Sequence, residues 1–234
     1  VLMTGVPGCG KSMTAKAIAA GWELPLLRLD IGKVFAGLVG SSEQNMRQAM
    51  KTAEATAPCV LWLDEIEKGF SGVGGDGDSG TSSRVFGSFL TWMQEKTTTV
   101  FVVATANKVD GLPPEFLRKG RFDEIFFVDL PTTQERTEIW ALHLARRLAK
   151  TRVVSPEVTQ DLLGRLAAAT EGYSGAEIEQ VVVAALFDAF ADRRALVEAD
   201  LLRAARNMVP LSVTQAEQVA AVRRWAAHRA VAAT

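Results

Sequence analysis

Five short and almost wholly apolar runs mark the first half of the chain: 1–4, 26–30, 59–64, 100–106 and 125–129. They do not alternate apolar with polar positions, so they read as strands buried on both faces, as in a parallel sheet covered by helices. Helical patterning fills the stretches near 10–21, 41–57 and 82–95. Strand and helix in alternation predict an α/β domain with a parallel five-stranded sheet and helices on both faces. Pro131 closes that pattern, and beyond it only helix starts are seen. Thr132-x-x-Glu135, Ser174-x-x-Glu177 and Thr214-x-x-Glu217 are capping boxes, and Ser155-Pro156-Glu157 places proline in a first turn. In each box a hydroxyl and a carboxylate take up N–H groups that the first helical turn leaves open. The expected organisation is an α/β core over 1–131, then a small all-helical lid domain over 132–234. The last helix, from Thr214, carries Val219, Val222 and Trp225 for packing, with Arg223 and Arg224 solvated.

The composition narrows the partners more than the fold. The 234 residues are 48% hydrophobic and 23% charged with a net charge of −1, so no basic surplus favours nucleic acid. No apolar run reaches the ~18 residues of a membrane span; the richest, 181–191, contains Asp188. Cys9 and Cys59 have neither metal-ligand nor disulfide spacing, which points to a reducing compartment, cytoplasmic by default. The chain opens inside its first apolar run and without methionine, as expected of a piece of a longer protein, and a leader would be hidden by such trimming. The glycine-rich segment 69–80, with Asp76 and Asp78, echoes a calcium loop, but Gly87 stands where the bidentate glutamate belongs; it reads as a surface loop.

The chemistry begins at Gly5-Val6-Pro7-Gly8-Cys9-Gly10-Lys11-Ser12, a complete G-x-x-x-x-G-K-S phosphate-binding (Walker A) loop behind the first apolar run. Its glycines let successive N–H groups turn inward on an anion. The following helix, from Met13 on, adds the positive end of its dipole. Lys11 is placed to reach the β- and γ-phosphates of a nucleotide, and the Ser12 hydroxyl to ligate Mg²⁺. A chance glycine turn would have neither the strand before it nor the helix after it. Residues 5–13 are therefore the candidate nucleotide contacts of a P-loop NTPase fold. Cys9 lies within this loop, where a small residue is needed; its oxidation would block the nucleotide.

The third apolar run ends in Asp64-Glu65 (Walker B). A buried strand delivers these acids to the carboxyl edge of the sheet, where ligands of open α/β sheets bind. Asp64 is the candidate to hold Mg²⁺, and Glu65 the candidate general base toward water. The next run ends in Asn107, whose amide can sense a γ-phosphate and the attacking water; alone, an asparagine there is a turn former. Arg118 and Arg121 make a cluster able to meet a phosphate or, equally, a surface salt-bridge group. Asn107-Lys108-Val109-Asp110 leaves a GTPase reading open, though Asp64-Glu65-Ile66-Glu67 lacks the D-x-x-G such proteins carry. A nucleotide-gated scaffold with little turnover is the other alternative; it would be marked by a missing Glu65, Asn107 or arginine, and all are present.

The phosphate loop, Asp64-Glu65, Asn107 and Leu117-Arg118-Lys119-Gly120-Arg121-Phe122-Asp123 occur in the order and spacing of AAA+ ATPases, and the last element resembles the second region of homology of the AAA branch. The resemblance runs from Val1 to about residue 205 and narrows to AAA ATPases encoded as a hypothetical reading frame in cyanobacterial and plastid genomes, through 79–87 and 118–127. It implies ATP/ADP and Mg²⁺ as ligands, with ATP between core and lid. It implies a homo-oligomeric, six-fold ring in which Arg118 and Arg121 act on the neighbour's nucleotide. Residues 136–143 resemble the first lid helix, placing His143 near the base; Gly172-Tyr173-Ser174-Gly175-Ala176-Glu177-Ile178 resembles the element that sets Gly175 and Ala176 at the ribose. It further implies remodelling or translocation of a macromolecular client, a protein, and a plastid stroma where the gene is plastid-borne. One departure stands out: Leu38-Val39-Gly40 occupies the place of the aromatic-hydrophobic-Gly pore loop, with Phe35 three residues before it, so that a client would be gripped without a flat ring there. Glu43 and Arg47 fit the following helix as packing residues.

Overall fold

The structure, a computed structural model, describes residues 1–35, 41–70, 79–109, 111–118, 120–149 and 157–233. The Leu38-Val39-Gly40 loop, Asp76, Asp78, Asp110, Lys119 and the Ser155-Pro156 cap lie outside them. The chain divides into two compact units: Val1–Gly5, Lys11–Val128 and Val222–Thr234 form one, Val6–Gly10 and Asp129–Ala221 the other.

In the first unit the described elements run β1 (Leu2–Gly5), α1 (Lys11–Gly21), β2 (Leu26–Asp30), α2 (Ile31–Phe35), α3 (Ser41–Thr56), β3 (Cys59–Asp64), a 3-10 helix (Ile66–Phe70), α4 (Ser79–Glu95), β4 (Val100–Ala106) and β5 (Ile125–Val128). The sheet order is β2-β3-β4-β1-β5-β6, with β6 a final strand at Val231–Ala232, and all its pairings are parallel. β3 is buried from Cys59 to Leu63 and reaches partial exposure only at Asp64. That is why an unbroken apolar run could be read as a strand and why its acids mark the edge. The register Asp30↔Asp64 and Leu63↔Ala104 brings the ends of β2, β3 and β4 to a common rim. Phe70, which ends the 3-10 helix, packs onto the core, stacked on Phe86 at 4.2 Å between ring centres and edge-on to Phe116 at 5.4 Å.

Two departures from the expected pattern concern the C-terminal end. The sheet has a sixth strand, where five were expected. Val231 and Ala232 lie beside Phe126 and Phe127, and the Ala233 N–H donates to the Phe127 carbonyl at 2.9 Å. Two exposed residues after a helix carry no periodicity, so nothing in their pattern announces a strand; the open edge of β5 recruits them. Residues from Val222 onward group with this sheet unit, while Val219 belongs to the helical one.

The second unit is built on α5 (Thr133–Leu148), α6 (Gln160–Ala169), α7 (Gly175–Ala191), α8 (Glu198–Asn207) and the short α9 (Leu211–Thr214), followed by α10 (Ala216–Ala226), which runs on into the first unit. Trp140, Leu144, Leu166, Ile178, Val181 and Leu201 form its buried centre. Thr132 and Ser174 cap as expected: the Thr132 N–H donates to Glu135 Oε2 at 2.7 Å and the Ser174 N–H to Glu177 Oε2 at 2.7 Å. The described cap of α6 is Thr159, which accepts from the Leu162 N–H at 3.2 Å. Thr214 does not start a helix; it ends α9, and α10 begins at Ala216. The reason lies upstream. Pro210, at φ −69°, sets the chain for a helix start, and Glu177 Oε1 accepts the Leu211 N–H at 2.6 Å, so an earlier turn forms first.

Asp200 is a buried charge of this unit, 1% exposed. Arg194 holds it with two nitrogens at 2.5 and 2.8 Å, Arg203 adds a bond at 2.7 Å, and the Val197 N–H a fourth at 3.2 Å. The Arg194 guanidinium foremost keeps this carboxyl well below the usual carboxylate range.

Two outcomes follow from the packing. A depressed folded pKa means that the stability from Asp200 is fully present above the unfolded value, about 3.9, and is lost as pH falls below it. Asp200→Asn is expected to cost about 2 kcal/mol near neutrality, the buried-pair value reduced because both arginines are partly solvated. In urea melts, the gap between wild type and variant should shrink as pH drops below about 4; a gap constant with pH would contradict it. At Gly5, φ is 138° and a Cβ would sit 2.0 Å from the Val128 carbonyl oxygen. Gly5→Ala should therefore separate β1 from β5 and lower the thermal midpoint by several degrees, roughly the effect of 1–3 kcal/mol.

Candidate nucleotide-binding site

Within the sheet unit, Gly5 closes β1 and Lys11 and Ser12 open α1. Lys11 is 5% exposed and its Nζ donates to the Gly5 carbonyl at 2.9 Å, so the ammonium is turned back onto the end of β1. A buried ammonium is tolerable only beside such acceptors. Among the described residues, nothing lies within 4 Å of where a Cβ on Gly10, at φ 95°, would be. Met13 follows in α1 with its side chain 54% exposed.

The acids of β3 meet this helix start. Ser12 Oγ donates to Asp64 Oδ1 at 3.2 Å, and Thr105 Oγ1 donates to the same oxygen at 2.9 Å. The other oxygen, Oδ2, is held by Arg28 of β2 at 2.8 Å, and that guanidinium lies over Trp62, 4.8 Å from the ring centre. Glu65 turns out of the strand at φ 52°, an uncommon conformation for a glutamate, and its N–H donates to Thr105 Oγ1 at 3.1 Å. Its carboxylate is met by Asn107 Nδ2 at 3.1 Å and by the Lys68 ammonium. Glu67 is 8% exposed, its Oε1 accepts the Asn107 N–H at 3.0 Å, and burial pushes its carboxyl up from the ordinary value.

Ser12, the adjacent acids Asp64 and Glu65, and Asn107 are thus brought into one hydrogen-bonded group through Thr105. The donor set is hard oxygen, a hydroxyl and a carboxylate, which suits Mg²⁺ completed by phosphates and water. Among the described residues no cluster of three or more His, Cys, Asp or Glu could hold a metal by itself, as that mode of binding requires. Arg121 lies apart from this group: its guanidinium bonds Gln94 Oε1, while Gln94 Nε2 donates to the Gly120 carbonyl at 3.1 Å. Arg118 is exposed.

The remaining loop residues belong to the helical unit. There the Ala176 N–H donates to the Gly8 carbonyl at 3.1 Å, and Gly175 approaches the same oxygen closely enough that a Cβ would be 3.5 Å away. Gly8, at φ 79°, packs on Ser174, with 2.8 Å from a notional Cβ to its Oγ. Cys9 Sγ lies 3.8 Å from the Pro7 carbonyl, and Val6 is buried. His143 is 7% exposed in α5; burial lowers its pKa, and its Nδ1 has no hydrogen-bond partner among the described residues.

Thr105, Arg28, Glu67 and Lys68 were not picked out from the sequence as site residues. Thr105 sits inside an apolar strand two places before Asn107, and its position there is the one signal that could have exposed it. Arg28 is the lone cation in β2, again visible only as an exception to the pattern. Among the described residues no helix is long and apolar enough to cross a membrane.

Residues 1–130 match the model for the ATPase family associated with various cellular activities (AAA), and 161–204 match the AAA+ lid domain. An uncharacterized AAA domain-containing protein, ycf46, of Pyropia yezoensis is 51% identical over 227 residues, 97% of this chain and 45% of its own length. The ycf46 protein of Guillardia theta is 45% identical over 97% of this chain and 44% of its own. The chain thus spans less than half the length of these relatives. A cell division cycle protein 48 homolog of Archaeoglobus fulgidus is 34% identical over 77% of the chain and 24% of its own length. Among solved structures, the FIGL-1 AAA domain superposes with a TM-score of 0.81 at 23% identity, covering 98% of this chain and 77% of that one. The same domain in complex with ADP superposes at 0.79. The six-stranded parallel sheet, the phosphate loop and the two family matches lead to one conclusion: this chain belongs to the AAA family of P-loop ATPases.

Proposed function

We propose that this chain binds ATP with Mg²⁺ and hydrolyses it, with the α/β core as the hydrolytic part and the helices that follow residue 131 as its lid. The observation that carries the reading is the meeting of Ser12 with Asp64 at 3.2 Å and of Asn107 with Glu65 at 3.1 Å on one rim of the sheet. Lys11 exchanges its Gly5 carbonyl for phosphate oxygens, bringing a positive charge to the β- and γ-groups. Ser12 and Asp64 would hold Mg²⁺, which supplies neutralisation of phosphate charge. Glu65 orients the attacking water and accepts its proton as the bond from the γ-phosphorus to the bridging oxygen breaks, leaving ADP and phosphate. Asn107, already bonded to Glu65, aligns that water against the γ-phosphate. The contacts of residues 5–13 with nucleotide, of His143 with the base and of Gly175 and Ala176 with the ribose are supported by resemblance to the family pattern.

Arg118 and Arg121 are proposed to act in trans, from the next copy in a homo-oligomeric ring, most simply a hexamer. The exposure of Arg118 is consistent with a target outside its own chain. The proposed work is remodelling or translocation of a macromolecular client, a protein, with Leu38-Val39-Gly40 as the point of grip. An assembly scaffold with little turnover predicts no role for Glu65.

Glu65→Gln is expected to keep ATP binding and to cut turnover by about 10²–10⁴. Turnover equal to wild type would exclude Glu65 as base. With that variant as blank, the rate per subunit should rise steeply with protein concentration. Arg118→Ala should lower turnover on the order of 10³ without weakening ATP. A rate independent of concentration in a monomeric particle would remove the trans arginines from the mechanism.

A further inference from the structure

We infer that Glu67 is a positioning residue for hydrolysis: its buried carboxylate holds the Asn107 backbone and, through it, the Asn107 amide against Glu65. The inference rests on the hydrolytic reading and assigns a residue that reading leaves unused. Glu67 lies in the 3-10 helix that follows β3 directly, and it is 8% exposed. Its Oε1 accepts the Asn107 N–H at 3.0 Å. Asn107 is the first residue past β4, and the pairing of β4 with β1 ends at Ala106. Its N–H is therefore oriented by Glu67 and not by the sheet ladder.

Segments 65–67 and 105–107 are joined at both ends. The Glu65 N–H binds Thr105 Oγ1 at 3.1 Å, and two residues on Glu67 binds the Asn107 N–H. Between these anchors the Asn107 side chain reaches Glu65 Oε1 at 3.1 Å. The first anchor fixes the backbone from which the Glu65 carboxylate springs. The second fixes the backbone from which the Asn107 amide springs. With the second removed, the Asn107 peptide is free to rotate and the amide no longer meets Glu65 in one geometry. Catalysis is steep in such displacements, about 10²-fold for 1 Å. A carboxylate in a buried position also carries a desolvation cost that packing alone would not require, since an apolar side chain of the same volume fills the space.

The test uses an isosteric pair. Glu67→Met keeps the volume and loses the acceptor; Glu67→Gln keeps both. Glu67→Met is expected to lower kcat about tenfold or more with KM for ATP little changed, and Glu67→Gln to restore most of the rate. Equal losses in both variants, no loss in either, or a change confined to KM would overturn the assignment. A second measurement does not depend on turnover or on the variants folding: in the wild-type protein the Asn107 amide should exchange with solvent slowly. Exchange at the rate of an open loop would overturn the assignment too. Wild type turning over no faster than Glu65→Gln would count against hydrolysis itself, and the amide exchange would then decide on the Glu67 bond alone.

Discussion

The Thr105 hydroxyl, 2% exposed, donates its proton to Asp64 Oδ1 and accepts the Glu65 N–H. One oxygen thereby sets the two acids in different directions. Asp64 is drawn back along the rim toward Ser12, while the Glu65 backbone is bent into a left-handed conformation that sends its side chain toward Asn107. A glutamate at φ 52° is strained, and a fixed acceptor for its N–H is what keeps it there. Because Thr105 lies within β4, the acids at the end of β3 are positioned by the neighbouring strand. The ladder between β3 and β4 thus acts as the frame of the site, and the parallel register decides which residues face each other across it.

Charge at this rim is balanced by partners that serve more than one purpose. Arg28 compensates Asp64 and rests on Trp62, gaining from the aromatic face what its half-exposed ion pair gives only weakly. Lys68 compensates Glu65 from the following turn. The site is thus a cationic fringe around two carboxylates, and a polyphosphate entering it would compete for the same cations. Each cation so released would change the setting of an acid.

The parts of this architecture written in local pattern were legible beforehand. β3 and β4 are continuous apolar runs closed by polar residues, so both their extent and the position of Asp64, Glu65 and Asn107 could be read directly. Capping boxes at Thr132 and Ser174 follow from side chains three residues apart and needed no tertiary information. Thr214 shows the limit of that logic. Its sequence fits a cap as well as theirs, yet a carboxylate from α7, distant in the chain, starts a helix before it. β6 is of the same kind: an edge recruits two residues that have no strand character of their own. Thr105 and Glu67 were missed for a related reason. A threonine in a strand and a glutamate after one are ordinary locally, and their roles exist only through contacts that span the distance between β3 and β4.

In the helical unit, Glu177 joins two helix starts. One of its oxygens serves the start of α7 and the other the start of α9, so a single carboxylate is the common terminus of two helices. Fraying is ordinarily a private matter for each helix end. Here the two ends share one carboxylate, each bonded to a different oxygen of it. The stretch between them, with α7, α8 and the turn into α9, is bound into one loop closed by one side chain, a non-covalent counterpart of a cross-link. Such a clasp ties the start of one helix to the start of another, distant in the chain, through one side chain.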